Sequence, residues 1–115
     1  MRTHKDLDVW KVSMEFVTEI YRITNDFPKN EFFGLTSQIR RAAVSIPANI
    51  SEGSARQTVK EFNQFLHIAL GSASELHTLI TIAHNLGYIK ELVPIEDKLS
   101  RISKMLSGLI KSLYK

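Results

Sequence analysis

Apolar side chains recur every three or four residues through four separate stretches of the chain, which is the period of an α-helix and not of a strand. In the first stretch, about Asp6 to Asp26, Leu7, Trp10, Met14, Val17, Tyr21 and Thr24 form one row. Val9, Val12, Phe16, Ile20, Ile23 and Phe27 form a second row beside it. Two adjacent rows predict a wide buried face with more than one neighbouring helix. Phe27-Pro28 ends the stretch, because the residue before a proline is disfavoured in the α region. A second helix is predicted over about Leu35 to Ser54, with Leu35, Ile39, Ala42, Ile46 and Ile50 as its row and Gly53 as its C-terminal stop. Pro47 lies inside it and removes one backbone donor, which predicts a kink or a break.

Thr58 and Glu61 have the spacing of a capping box and open a third helix, predicted to run to about Leu86 and to end at Gly87. Its row is Val59, Phe62, Leu66, Ala69, Ala73, Leu76, Ile80 and Ala83, while Phe65, Ile68, Leu79, Ile82 and Leu86 lie off that row. A helix apolar over so much of its circumference belongs at the centre of a bundle or in a subunit interface. Pro94 suits the start of a fourth helix, Glu96 and Asp97 suit its positive end, and Ile95, Leu99, Ile102, Leu106, Leu109 and Leu113 form its core row. The connections are short and no strand pattern competes. The pattern predicts an all-α, up-down-up-down four-helix bundle, kinked at Pro47, as one domain over residues 1–115.

Composition narrows the chemistry. At 115 residues one core is expected, and it can be stable without metal or cross-links. The absence of cysteine excludes disulfides, thiolate metal sites and cysteine nucleophiles together. The N-terminus has no apolar signal core, and no uninterrupted apolar run approaches the roughly 20 residues of a membrane span. A cytoplasmic protein that does not engage membranes is the expectation. No nucleophile motif or phosphate-cradling glycine loop is present. A di-iron bundle needs Glu-x-x-His pairs, but Glu75 is followed at the third place by Thr78 and Glu61 by Gln64. His4, His67, His77 and His84 lack the one-turn spacing of a helical metal pair. The expectation is therefore no enzyme, no metal and no cofactor.

On the second helix, Gln38, Arg41, Ser45, Asn49, Glu52 and Arg56 fall within an arc of roughly 80° at about 100° per residue. Serine, asparagine and proline are poor helix-interior residues, so tertiary contacts must compensate. Two readings stand side by side: a solvated face, or a polar network between helices or subunits in which Arg41 pairs with Glu52 while Ser45 and Asn49 satisfy groups freed at the proline.

The same segment, Leu35-Thr36-Ser37-Gln38-Ile39-Arg40-Arg41-Ala42-Ala43-Val44-Ser45-Ile46-Pro47-Ala48-Asn49-Ile50-Ser51-Glu52-Gly53, closely resembles the signature of a four-helix-bundle family whose founding members are encoded in intervening sequences of bacterial 23S ribosomal RNA genes. Asp8-Val9-Trp10, Phe27-Pro28, Ile68-Ala69-Leu70-Gly71-Ser72 and Glu75-Leu76 extend the resemblance over nearly the whole chain. His77 departs from the Glu-Leu-Glu common in relatives. The resemblance implies a ring-like homopentamer. It also implies a distant likeness to the accessory variability protein of diversity-generating retroelements, which binds nucleic acid and its reverse transcriptase through basic surfaces.

Net charge is only +3, from 15 Lys and Arg against 12 Asp and Glu, but its distribution is uneven. No acidic side chain follows Asp97, whereas Arg101, Lys104, Lys111 and Lys115 line one side of the fourth helix, with Lys98 close by and Arg40 available from the second. For one chain, a solvated face complementing the negative helix end explains this stripe. Repeated five times in a ring, it becomes a surface for RNA or DNA, backbone-directed and salt-sensitive. The aromatics lie mostly on core rows, so no stacking platform is expected. The competing expectation is a protein adaptor, docking through the polar stripe and exposed apolar positions such as Val44 and Ile82.

Overall fold

The computed structural model describes residues 3–114 and contains four α-helices: α1 (Asp8–Thr24), α2 (Leu35–Ser54), α3 (Val59–Asn85) and α4 (Val93–Ser112). Two short 3-10 turns, His4–Asp6 and Lys29–Glu31, precede α1 and α2. Helix α1 packs on α2, α2 on α3, α3 on α4, and α4 back on α1, whereas among the described residues the diagonal pairs do not approach one another. That closed cycle of neighbours is a four-helix bundle. Its shape is elongated, 44 × 24 × 19 Å. The 27 residues of α3, at about 1.5 Å each, run most of the long dimension.

The two rows of α1 have different fates. Val9, Phe16 and Ile20 are buried, with Phe27 behind them, so the second row is the core row. Met14 and Tyr21 on the first row are each 43% exposed, and of that row only its last member, Thr24, is buried, so most of it flanks the core. Two polar residues are buried here without loss of hydrogen bonds. The Ser13 hydroxyl donates to the Trp10 carbonyl at 2.9 Å and the Thr24 hydroxyl to the Ile20 carbonyl at 2.8 Å.

Pro47 does not break α2, which continues as helix to Ser54. A proline in a helix interior costs about 3 kcal/mol. Ile46 and Ile50 beside it are fully buried, and each such side chain contributes about 1.5–3 kcal/mol, enough together to hold the helix through the proline. Gly53 also behaves differently from its predicted role. It lies inside the last turn, is buried, and has a negative φ, so it does not stop the helix. A Cβ there would lie 2.7 Å from the Phe65 Cβ and 3.0 Å from the Phe62 ring, so the glycine is what lets α2 and α3 touch at this end. Gly53→Ala is expected to destabilise the protein by about 1–3 kcal/mol despite alanine's better helix propensity. A urea melt checks this, and unchanged or raised stability would contradict it.

Gly87 does end α3. It has φ +84, its N–H donates to the His84 carbonyl, and the Tyr88 N–H donates to the Ala83 carbonyl, the two bonds of a Schellman cap. At the other end of α3, Thr58 Oγ1 accepts the Glu61 N–H at 3.1 Å, but the Glu61 carboxylate accepts a hydrogen bond from the Thr58 hydroxyl at 2.9 Å instead of reaching the backbone. Only half of the capping box forms.

Glu31 was not singled out in the sequence, yet it ties two loops together. Its Oε1 accepts the Leu35 N–H at the start of α2, and its Oε2 accepts the Tyr88 hydroxyl at 3.0 Å. That hydrogen bond, then burial, then the charge of Glu31, hold the Tyr88 pKa above the ordinary value of 10.0. The contact is therefore at full strength at neutral pH and is lost as the pH rises through the shifted pKa.

By length and composition α3 could also cross a bilayer, with a mean hydropathy of 1.2 over its most apolar window. In this fold its core row, Leu66, Ala69, Ala73, Leu76, Ile80 and Ala83, is spent on packing inside the bundle.

Candidate functional site

Two surfaces carry the residues singled out by the sequence. The first is a polar groove between α2 and α3. Ser45 Oγ lies 2.8 Å from Ser72 Oγ, across the helix interface. Asn49 Nδ2 donates to both the Ser45 carbonyl (2.8 Å) and the Ser45 hydroxyl (2.9 Å). The side chain of Asn49 thus binds the backbone two residues on from the Ala43 carbonyl, which Pro47 leaves without its donor. Gln38, Arg41 and Ser45 face Glu75 of α3 across an open cleft of about 460 Å³.

The structure therefore brings Gln38, Arg41, Ser45 and Asn49 together, but not Glu52. Within the chain Glu52 pairs with Arg56 at 3.2 Å, one turn on. Arg41 and Glu52 are eleven residues apart along one continuous helix, a rise of about 16 Å, and they form no ion pair with each other. Arg41 has no hydrogen bond or ion pair among the described residues. Ser72 and Glu75 are the α3 half of the groove. Their signal in the sequence was the Gly71-Ser72 and Glu75-Leu76 pairs, whose spacing places both off the core row of α3.

Beside the groove, α3 shows a second apolar face. Phe65, Ile68, Ser72, Glu75, Leu79, Ile82 and Leu86 alternate in steps of three and four, the seam of a helix that packs along another helix. Within one chain the seam is only partly covered: Leu79 is buried and Phe65 half-buried, but Ile68 is 50%, Ile82 41% and Leu86 55% exposed, and Val44 of α2 is 41% exposed.

The second surface is the outward face of α4. Arg101, Lys104 and Lys111 are exposed on one stripe, and none has a hydrogen bond or ion pair among the described residues. Asp97 shares the upper end of this face, lining a shallow depression with Arg101 and Lys104. Lys115 lies outside the described residues. Lys98 does not belong to the free set, since its ammonium contacts both Glu19 oxygens at 2.6 and 2.8 Å and clamps α4 to α1. Arg40 is also engaged. Its Nε donates to Thr24 Oγ1 at 2.9 Å, its Nη2 to the Tyr21 carbonyl at 3.4 Å, and its guanidinium lies 4.5 Å from the centroid of the Tyr21 ring.

His77 Nε2 lies 2.7 Å from Glu96 Oε2, an exposed contact between α3 and α4. Among the described residues no group of three or more His, Cys, Asp or Glu side chains is placed to hold a metal ion.

A four-helix bundle with a kink-position proline buried in α2 and a serine–asparagine–serine network crossing to α3 defines the class of protein. Residues 5–108 match the family described as 23S rRNA-intervening sequence protein, and the chain belongs to that family. It is also similar to a crystal structure from Bacteroides thetaiotaomicron VPI-5482, described as a protein with unknown function from the S23 ribosomal protein family. The two share 29% sequence identity with a TM-score of 0.83, over 90% of this chain and 95% of that one. No curated protein matches the chain.

Proposed function

We propose that this protein is a non-enzymatic homopentamer that binds RNA through the α4 stripe repeated around the ring. The observation that carries the reading is the contrast among its cations. Lys98 and Arg56 are held in ion pairs inside the chain, whereas Arg101, Lys104 and Lys111 stand free together on one exposed face of α4. Free lysine and arginine rows neutralise phosphates and release counterions, whereas paired ones have already lost most of that capacity. A single stripe of three is weak, and closure into a ring multiplies it.

Self-association is supported by the exposed Ile68, Ile82 and Leu86 of the α3 seam and by the polar groove, where Arg41 and Glu75 offer opposite charges to a neighbouring copy. The same face would serve a different protein in an adaptor, and the mass of the purified protein separates the two. RNA binding is tested by titrating a labelled single-stranded RNA with the full chain at rising salt. Affinity that collapses with salt supports the reading, and salt-independent binding or none overturns it.

A further inference from the structure

We propose that the corner between α1 and α2 is a binding site for one unpaired nucleotide of an RNA strand, with Phe33 as the stacking face and Lys29 and Arg40 as phosphate donors. This rests on the RNA-binding reading above and adds a contact of a different kind, far from the α4 stripe in sequence. Phe33 is 92% exposed, more than any other large apolar side chain described. Its neighbour Phe32 meets it edge-on, with ring centroids 4.9 Å apart and planes at 86°, an arrangement that steadies the Phe33 ring. The aromatic pair borders a cleft of about 330 Å³ whose walls include Lys29, Arg40 and Thr36.

The chemistry of the cleft selects the ligand. An exposed aromatic face next to cations is the arrangement that holds single-stranded nucleic acid, because every base has a face to stack and a phosphate to neutralise. Arg40 is already oriented by Thr24 and Tyr21, and those two bonds use two of its five N–H donors, leaving three for a phosphate. Thr36, 3% exposed, has a hydroxyl oxygen with no hydrogen-bond partner, a buried polar group that a polar ligand at the cleft would help to satisfy. Of the nearby carboxylates, Glu31 is taken up by the Leu35 N–H and the Tyr88 hydroxyl, and Asp26 is exposed outside the cleft lining. A purely apolar partner would leave Lys29 and the remaining Arg40 donors desolvated and unpaired, so the mixed lining disfavours it. A duplex offers no open base face, so the site reads unpaired nucleotides.

The test uses the full chain with a labelled single-stranded oligoribonucleotide, the same sequence as a duplex, and a nucleoside monophosphate. Because Phe33 is almost fully exposed, Phe33→Ala should keep the wild-type melting temperature while lowering single-strand affinity about tenfold and leaving duplex affinity unchanged. Phe33→Trp should retain single-strand affinity and show fluorescence quenching by the strand beyond that of Trp10 in the parent protein. Quenching by the monophosphate as well identifies the free nucleotide as sufficient, and quenching by the strand alone shows that the flanking phosphates are needed. Equal single-strand affinity for Phe33→Ala and wild type, with no added quenching, overturns the site. If that result comes with binding that α4 charge reversal abolishes, the α4 reading stands without it. If wild type binds no RNA yet the monophosphate quenches Phe33→Trp, the nucleotide site stands and the RNA reading falls.

Discussion

Replacing Ile68 and Ile82 together with glutamate is expected to turn the proposed pentamer into single chains that remain folded. Both residues lie on the outward seam of α3, 50% and 41% exposed in one chain, and neither belongs to the protomer core. The fold should therefore tolerate the change, with helicity and melting behaviour close to those of a wild-type protomer. The proposed interface would bury these positions, and an unpaired carboxylate taken out of water costs several kcal/mol. In a symmetric ring the same two charges would fall in every copy of that interface, so the penalty would recur around it. Light scattering on the eluted variant should give one chain, 13.1 kDa. A variant that keeps the wild-type mass would show that α3 is not the joining surface.

Reversing Arg101, Lys104 and Lys111 to glutamate is expected to abolish RNA binding while leaving the oligomer intact. The three side chains are exposed and free of ion pairs among the described residues, so their removal disturbs no packing. A single strand spanning two stripes of three would make about six phosphate contacts, which predicts about a 300-fold loss of affinity between 50 and 200 mM salt for the wild type. Reversal replaces those contacts with repulsion and should remove both the binding and its salt slope. Filter binding at several salt concentrations checks this. Wild-type affinity in the triple variant would rule out α4 as the RNA surface.

The sequence made the helices legible because each buries one face, and burial on one face imposes a period that can be counted. It made Gly87 and the start of α3 legible because their cues are local: a left-handed turn position and a cap three residues from its partner. Partners across the bundle were less visible. Periodicity places Lys98 and Arg40 near the basic faces but says nothing of Glu19 or Thr24, which lie 79 and 16 residues away and meet them only once the helices pack. Gly53 looked like a stop because glycine often ends helices, whereas its missing side chain serves the contact with Phe62 and Phe65. Phe32 and Phe33 fell outside any helical row, so the period carried no information about their exposure. The polar groove was half legible: the α2 residues share an arc, but which residues of α3 they face is a matter of tertiary register.

The most direct measurement is the mass of the unmodified protein in dilute solution, by light scattering behind size-exclusion chromatography. Closure around the α3 seam predicts five times the 13.1 kDa of one chain, persisting at micromolar concentration. A well-behaved particle of a single chain at those concentrations would contradict it, and would leave the stripe of Arg101, Lys104 and Lys111 too sparse to bind RNA as proposed.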